Sequence, residues 1–446
     1  MLRFFLPIVV GMTSLGTVDG NGSRFAEHGP VQVSENRRHL QHEDGTPFFW
    51  LADTAWNGPL LADEEDWDTY LMDRAGKGFT AIQFVSHAPW RAAEKDAEGR
   101  TAWLGRNDPT INPAFFDRLE KFVKAINDYG MLAAPVLMWT CTPDDPGQYL
   151  NEEAIVRIMR YEIDRLKKYQ VLWILGGDGD YTGDLGSKWR RIGRQVFPPT
   201  RNKTPVAMHL CGMSLPYKEL STEPWLDIWG YQSGHGDDDK TLTWMHSGPV
   251  AFTWPEDSKR TFINMEPPYE GLQATHSNEP HSSFNVRRAV YWSLLNAPTA
   301  GVSYGAHGIW SWQTEPGEPL NHAGGGIAPP WSEAINLPGS GEMGILASVF
   351  TGLHWWQLRP NPDLVRDQPG MLDPKAFIAT AQNADRSIIV LYLPIGGRVE
   401  MDTDLAGRTG DRINPMTGER EPISIDPNGN LDSPVDADWV VILRES

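Results

Sequence analysis

Two short hydrophobic runs end on a carboxylate: VLWILGG leads into Asp178, and TFINM leads into Glu266. An acid at the C-terminal tip of a buried parallel strand points out of the core into the mouth of the sheet. In a β/α barrel that mouth holds the active site. Two acids there can break a glycosidic bond, one protonated at the leaving oxygen and the other ionised at the anomeric carbon. Each acid alone has a blander reading. An Asp before a Gly is a common turn or helix-cap residue, and the chain carries 58 acidic residues. Glu266 resists that reading better, because Glu is a poor turn former and Pro267-Pro268 stiffen the backbone behind it.

The elements that must position the pair form a repeating strand-then-helix pattern. Candidate strands cover 48–52, 81–85, 132–138, 171–175, 206–210, 226–230, 261–265 and 301–304, all short and mostly apolar, as strands covered on both faces should be. Helical periodicity is clear over 63–77, capped by Asp63, over 113–129, ended by Gly130, and after Asn151. It is weaker between strands five, six and seven. Eight such units without a GxGxxG predict a (β/α)8 TIM barrel rather than an open doubly wound sheet. A β ribbon over 29–49, turning at Asp44-Gly45, precedes it, so the barrel domain is expected over 21–360. From 365 to 446, short alternating runs separated by Asn, Asp, Gly and Pro predict a small antiparallel β-sandwich accessory domain. Asp178 then follows strand four and Glu266 strand seven. Many retaining barrel glycosidases use these strands, which is an analogy of fold.

Other polar residues fall at the same rim. Asp53 follows strand one and is the main rival for a catalytic role. His87 follows strand two, His209 lies in strand five, Gln232 follows strand six, and Tyr304 and His307 lie at strand eight. Tyr269 and Glu270 stand close behind Glu266. Each alone reads as a hydrogen-bonded structural group; together they suit a polyhydroxylated ligand. The chain has 19 Trp. Trp56, Trp90, Trp139, Trp310 and Trp312 sit beside polar residues near strand ends, where flat rings can stack on sugar faces or simply pack the core.

A net charge of −19 without a basic run argues against nucleic acid. Arg3 followed by an apolar stretch from Phe4 to Leu15, with Ser14 and Gly16 as a small-x-small cleavage pattern, predicts a signal peptide over 1–20 and a secreted or periplasmic protein. That stretch is too short to span a bilayer, and no other membrane segment is found. Cys141 and Cys211 follow strands that are not neighbours, so free thiols are expected. There is no CxxC, HExxH or HxH, so no metal or cofactor is expected.

In this order, GTPFFWLADTAW, GFTAIQFV, VLWILGGD, QSGH, INMEPPYE and YGAHGIW resemble the apiosidase-like family of glycoside hydrolases. Its members join a β/α barrel to a C-terminal β domain, which IVLYLP followed by RINPMTGE also resembles. The resemblance implies a secreted glycosidase releasing apiose from galacturonic acid in side chains of the pectin rhamnogalacturonan II. Carried over by motif, Asp178 is the acid/base and Glu266 the nucleophile. The chain has His209-Leu210 where the family commonly has His-Pro, and MEPP for a more usual GEP, which bears on the sugar more than on the chemistry.

The expectation is a retaining, exo-acting glycosidase for a plant or algal poly- or oligosaccharide. One alternative is a non-catalytic glycan-binding protein using the barrel mouth or the β domain. A metal-dependent barrel hydrolase would need convergent His and acidic ligands.

Overall fold

The computed structural model describes residues 23–201, 203–255, 260–435 and 437–445; the expected signal peptide lies outside them. Eight parallel strands close a barrel in sequence order: β1 (Trp50–Thr54), β2 (Ala81–Val85), β3 (Leu132–Val136), β4 (Trp173–Ile174), β5 (Val206–Gly212), β6 (Ile228–Gln232), β7 (Thr261–Glu266) and β8 (Thr299–Tyr304). Most strand residues are buried on both faces, the barrel interior on one side and the helical ring on the other. Strands β1, β6 and β7 run past the ends expected from the apolar runs, so Asp53, Gln232 and Glu266 lie within strands. Their side chains find buried partners, which lets the hydrogen-bond ladder continue through a polar residue.

The helices follow the expected physical signals. In α1 (Glu64–Gly76), the Asp63 carboxylate caps the first turn by accepting from Asp66 N–H at 2.8 Å. In α3 (Glu152–Leu166), Asn151 does the same for Ala154 N–H at 2.8 Å. Between them, α2 (Pro113–Asp128) buries Phe115, Leu119, Phe122, Val123 and Ile126 and gives way to Gly130 at φ +72°. The weak periodicity between strands five and seven corresponds to short helices, Tyr217–Leu220 in one crossover and Asp239–Ser247 with Pro249–Thr253 in the next. Strands Val31–Val33, Leu40–His42 and Pro47–Phe48 form the N-terminal ribbon.

The C-terminal region is two antiparallel sheets, one of six strands and one of three. The larger sheet begins at Arg359–Pro360, ahead of the expected boundary at 365; its central strands Ile388–Leu393 and Trp439–Glu445 are mostly buried, and its far edge, Arg420–Pro422, is exposed. Along Ile388–Leu393, Ile389, Leu391 and Leu393 join the core shared with the small sheet, while Val390 and Tyr392 join the barrel core. The barrel side of this junction is α4 (Ser283–Asn296). There the Tyr291 and Tyr392 rings stack at 4.7 Å, and Arg287 pairs with Asp438 at 2.8 Å and Glu342 at 2.6 Å. Tyr392 OH also donates to Asp438 at 2.8 Å.

Asp438→Ala would leave the buried Arg287 with Glu342 and a long contact to Ser283 Oγ. We expect a loss of about 3 kcal/mol, at the low end for breaking a buried pair because Glu342 remains. A urea unfolding midpoint unchanged from wild type would contradict this.

Candidate active site

The barrel mouth holds a cavity of about 580 Å³, within the range of small-molecule sites. Asp178 and Glu266 both line it, with Trp56, Trp139, Gln232, Tyr269 and Trp310. The remaining wall includes Trp90, Arg91, His235, Asn321 and His322.

Asp178 is placed by an unusual stretch of backbone. The chain leaves β4 through Gly176 and Gly177, and a Cβ on Gly177 would come within 2.3 Å of the Trp139 ring. Asp178 itself adopts φ +52°, a left-handed conformation that Asp tolerates better than most residues. Gln232 Nε2 donates to Asp178 Oδ1 at 2.7 Å, and Asp178 N–H donates to His209 Nδ1 at 3.2 Å. Arg91 Nη2 stands 3.7 Å from Oδ2, too far for a hydrogen bond. Burial, and after it the charge of Glu266, push the Asp178 carboxyl up to about 6; His209, Cys141 and Arg91 oppose the rise.

Glu266 has the opposite poise. Burial alone would raise it, but contacts with His209 and His235 outweigh burial and hold it well below the usual carboxylate range. His235 Nε2 donates to Oε1 at 2.9 Å. His209 Nε2 lies 3.2 Å from Oε2 but is poorly aligned, so this contact is electrostatic rather than a formed hydrogen bond. Asn264, two residues earlier, accepts from Glu266 N–H at 3.3 Å and donates to Ser233 and Ser293. Below, Gln83 crosses the barrel and donates to Met265 O at 2.6 Å.

Aromatic rings frame the acids. Trp139 lies 4.8 Å from Trp90 and 5.4 Å from Trp56, centroid to centroid. Trp56 Nε1 donates to Tyr269 OH at 2.9 Å, and Tyr269 packs on His235 at 4.6 Å. Trp310 packs against His322 at 4.7 Å. Burial and the nearby Arg91 charge push the His322 imidazole down to about 4, so it is neutral at pH 7.

Five residues expected to face substrate do not line the cavity. Asp53 is fully buried and bonded to Arg74 Nε at 2.5 Å and Tyr70 OH at 2.7 Å, because α1 carries a cation beneath the tip of β1. His87 lies 2.6 Å from Glu162 of α3, walled by Trp103 and Phe116. Tyr304 OH donates to Glu270 at 2.6 Å, which also turns Glu270 away from Glu266. His307 accepts from Trp310 Nε1 at 3.3 Å and supports that ring from behind. His209 is likewise absent from the cavity wall, lying behind the two acids it touches. Trp312 is in the core, stacked on Trp331 at 5.0 Å.

Sequence reasoning misses the role of His235, although it lies within QSGH, and places Trp90 only as an aromatic near a strand end. Asn321 and His322 sit in a Gly- and Pro-rich loop without periodicity. Cys141 and Cys211 are free thiols. Among the described residues no three His, Cys, Asp or Glu side chains group to hold a metal ion, and no helix is long and apolar enough to cross a membrane.

A family model described as "Apiosidase-like, catalytic domain" matches residues 34–357. No curated protein matches in sequence. Among solved structures, one described as a glycoside hydrolase is 20% identical, with a TM-score of 0.79 over 95% of this chain and 98% of its own. A glycoside hydrolase family 5 protein from Bacteroides vulgatus is 22% identical, with a TM-score of 0.79 over 94% of this chain and 93% of its own. A family 5 mannosidase from Rhizomucor miehei is 12% identical, with a TM-score of 0.53 over 73% of this chain and 99% of its own. At these identities the structures are similar to this chain in fold.

Proposed function

Because the chain belongs to the apiosidase-like family of glycoside hydrolases, we propose that it is a secreted, retaining exo-glycosidase that releases terminal apiose from side chains of a pectic polysaccharide. Glu266 attacks the anomeric carbon while Asp178 passes its proton to the departing glycosidic oxygen, giving a covalent glycosyl-enzyme and an Asp178 carboxylate. That carboxylate then takes a proton from water, which releases the sugar with its original configuration. The observation that carries this reading is the opposite poise of two carboxyl groups on one cavity. Asp178 is pushed up to about 6, and Glu266 is held ionised. The Trp-lined walls suit the apolar face of a sugar ring. Export is proposed from the Arg3 to Gly16 pattern, and N-terminal sequencing of the recovered protein should begin beyond Gly16.

The sugar is tested by screening the enzyme on apiosides and on pectic, other plant and algal glycans, with released monosaccharides identified by chromatography. Apiose as the main product supports the proposal; another sugar would replace it.

The pH dependence follows from the same poise. Asp178 must carry its proton for the first step, so kcat/KM should fall as pH rises through about 6. The sign also holds for stability. A carboxyl raised in the folded state stabilises below its unfolded value, and that contribution is lost as pH rises through about 6. A pH–rate profile still rising between pH 6 and 8 would contradict the assignment of Asp178 as the acid.

A further inference from the structure

One short segment holds both acids. Strand β6 ends at Gln232, and the chain continues Ser233-Gly234-His235. Strand β6 is flanked by β5 and β7. Glu266, on β7, is therefore a neighbour, whereas Asp178, beyond β4, lies across β5. Gln232 reaches Asp178 at 2.7 Å and His235 reaches Glu266 at 2.9 Å. The strand register is irregular on both flanks, between His209 and Gly212 on one side and where Gln232 comes to pair with Glu266 on the other. Such irregularities re-aim side chains at sheet rims.

Main-chain bonds pin the segment to both neighbours. Met213 N–H donates to Gln232 O at 3.0 Å, and Ser233 N–H donates to Glu266 O at 3.2 Å. Gly234, at φ +78°, allows the turn that brings His235 back over Glu266. Beyond it, His235 O accepts from Thr275 N–H at 3.0 Å and lies 3.0 Å from His281 Nε2.

We infer that Gln232 and His235 are a paired positioning device that sets the spacing of the two acids and selects which oxygen of each one reacts. This rests on the roles given above to Asp178 and Glu266. Oδ1 of Asp178 accepts an amide N–H, so the transferable proton sits on Oδ2. Arg91 stands off Oδ2 at 3.7 Å, too far to hydrogen-bond it, and the Cys141 thiol that also meets this carboxyl is a weak donor. Oε1 of Glu266 is held by His235 at the cavity wall, whereas Oε2 is buried beside His209, behind the acids. Oε1 therefore faces the cavity and forms the bond to the anomeric carbon. As the C–O bond breaks, the proton on Asp178 Oδ2 moves to the leaving oxygen and Asp178 is left anionic.

The test compares Gln232→Met, His235→Leu and His235→Gln, using phenyl and 2,4-dinitrophenyl apiosides, which do and do not need a proton to leave. Gln232→Met should slow the phenyl substrate at least about tenfold more than the dinitrophenyl one. His235→Leu should slow both by a similar factor, and His235→Gln, which keeps an N–H donor, should recover most of that loss. Carboxyl-resolved NMR titration of the free enzymes gives a readout independent of the sugar. The Asp178 midpoint alone should shift in Gln232→Met, and the Glu266 midpoint should shift in His235→Leu. If both variants slow both substrates alike, or leave both midpoints unmoved, the device is overturned. A wild type that cleaves neither apioside while the midpoints shift separately would retire apiose as the sugar and leave the device standing.

Discussion

Glu266→Ala should lower kcat/KM by on the order of 10⁴-fold or more, the scale seen when a nucleophile is removed from a catalytic unit. Three effects of the substitution act together. The covalent route disappears, since no other described carboxylate shares this cavity with Asp178. The negative charge that helps raise the Asp178 carboxyl is lost, so the proton donor weakens as well. His235 loses the acceptor that it holds at 2.9 Å, which loosens the segment carrying Gln232. The fold should survive, because the truncated side chain faces a cavity rather than close-packed core. A melting temperature near wild type together with the loss of turnover is therefore the expected pairing. Activity within tenfold of wild type would end the two-carboxylate reading.

The second large effect is on stability. Asp53→Ala should cost about 3–5 kcal/mol, the range for removing one partner of a buried ion pair. Arg74 and Asp53 are both fully buried, and Arg74 also lies over the Tyr70 and Phe79 rings at 5.2 and 5.6 Å. Without Asp53, Arg74 keeps Asp73, which is partly exposed, and the Ile335 carbonyl, and Tyr70 OH loses its acceptor. Replacing the pair by apolar residues of similar volume, as in Asp53→Leu with Arg74→Met, should recover much of the loss. Urea unfolding measures both. Normal stability of Asp53→Ala with turnover abolished would return Asp53 to the catalytic site.

Asp53 also marks where sequence reasoning ran out. Its position at a strand tip was legible, because the apolar run before it was. Its partner was not, because Arg74 lies a helix away and the amphipathic pattern of α1 accounts for an Arg stem without revealing where the guanidinium goes. His87 and Glu162 fail for the same reason: a buried pair between two elements leaves no local signature. Asp178 and Glu266 were legible because glycines and prolines mark where the chain must leave the barrel. Gln232 lines the cavity, but its bond to Asp178 depends on a register shift between strands, which no period-two pattern encodes. The crossovers around β6 were faint for a physical reason too, since their helices are as short as four residues. The C-terminal sandwich was legible from alternation alone; that its larger sheet also packs on the barrel could be read only from Val390 and Tyr392 facing one way and Leu391 the other.

The most direct test is to trap the enzyme mid-turnover. Wild-type protein is incubated with a fluorosugar glycoside of the sugar it is found to release, quenched in acid, and mapped by peptide mass spectrometry. A single glycosyl adduct on the peptide carrying Glu266, at the side chain of Glu266 itself, is the predicted result. An adduct on another residue, or turnover without an adduct and with inversion at the anomeric carbon, would contradict the mechanism.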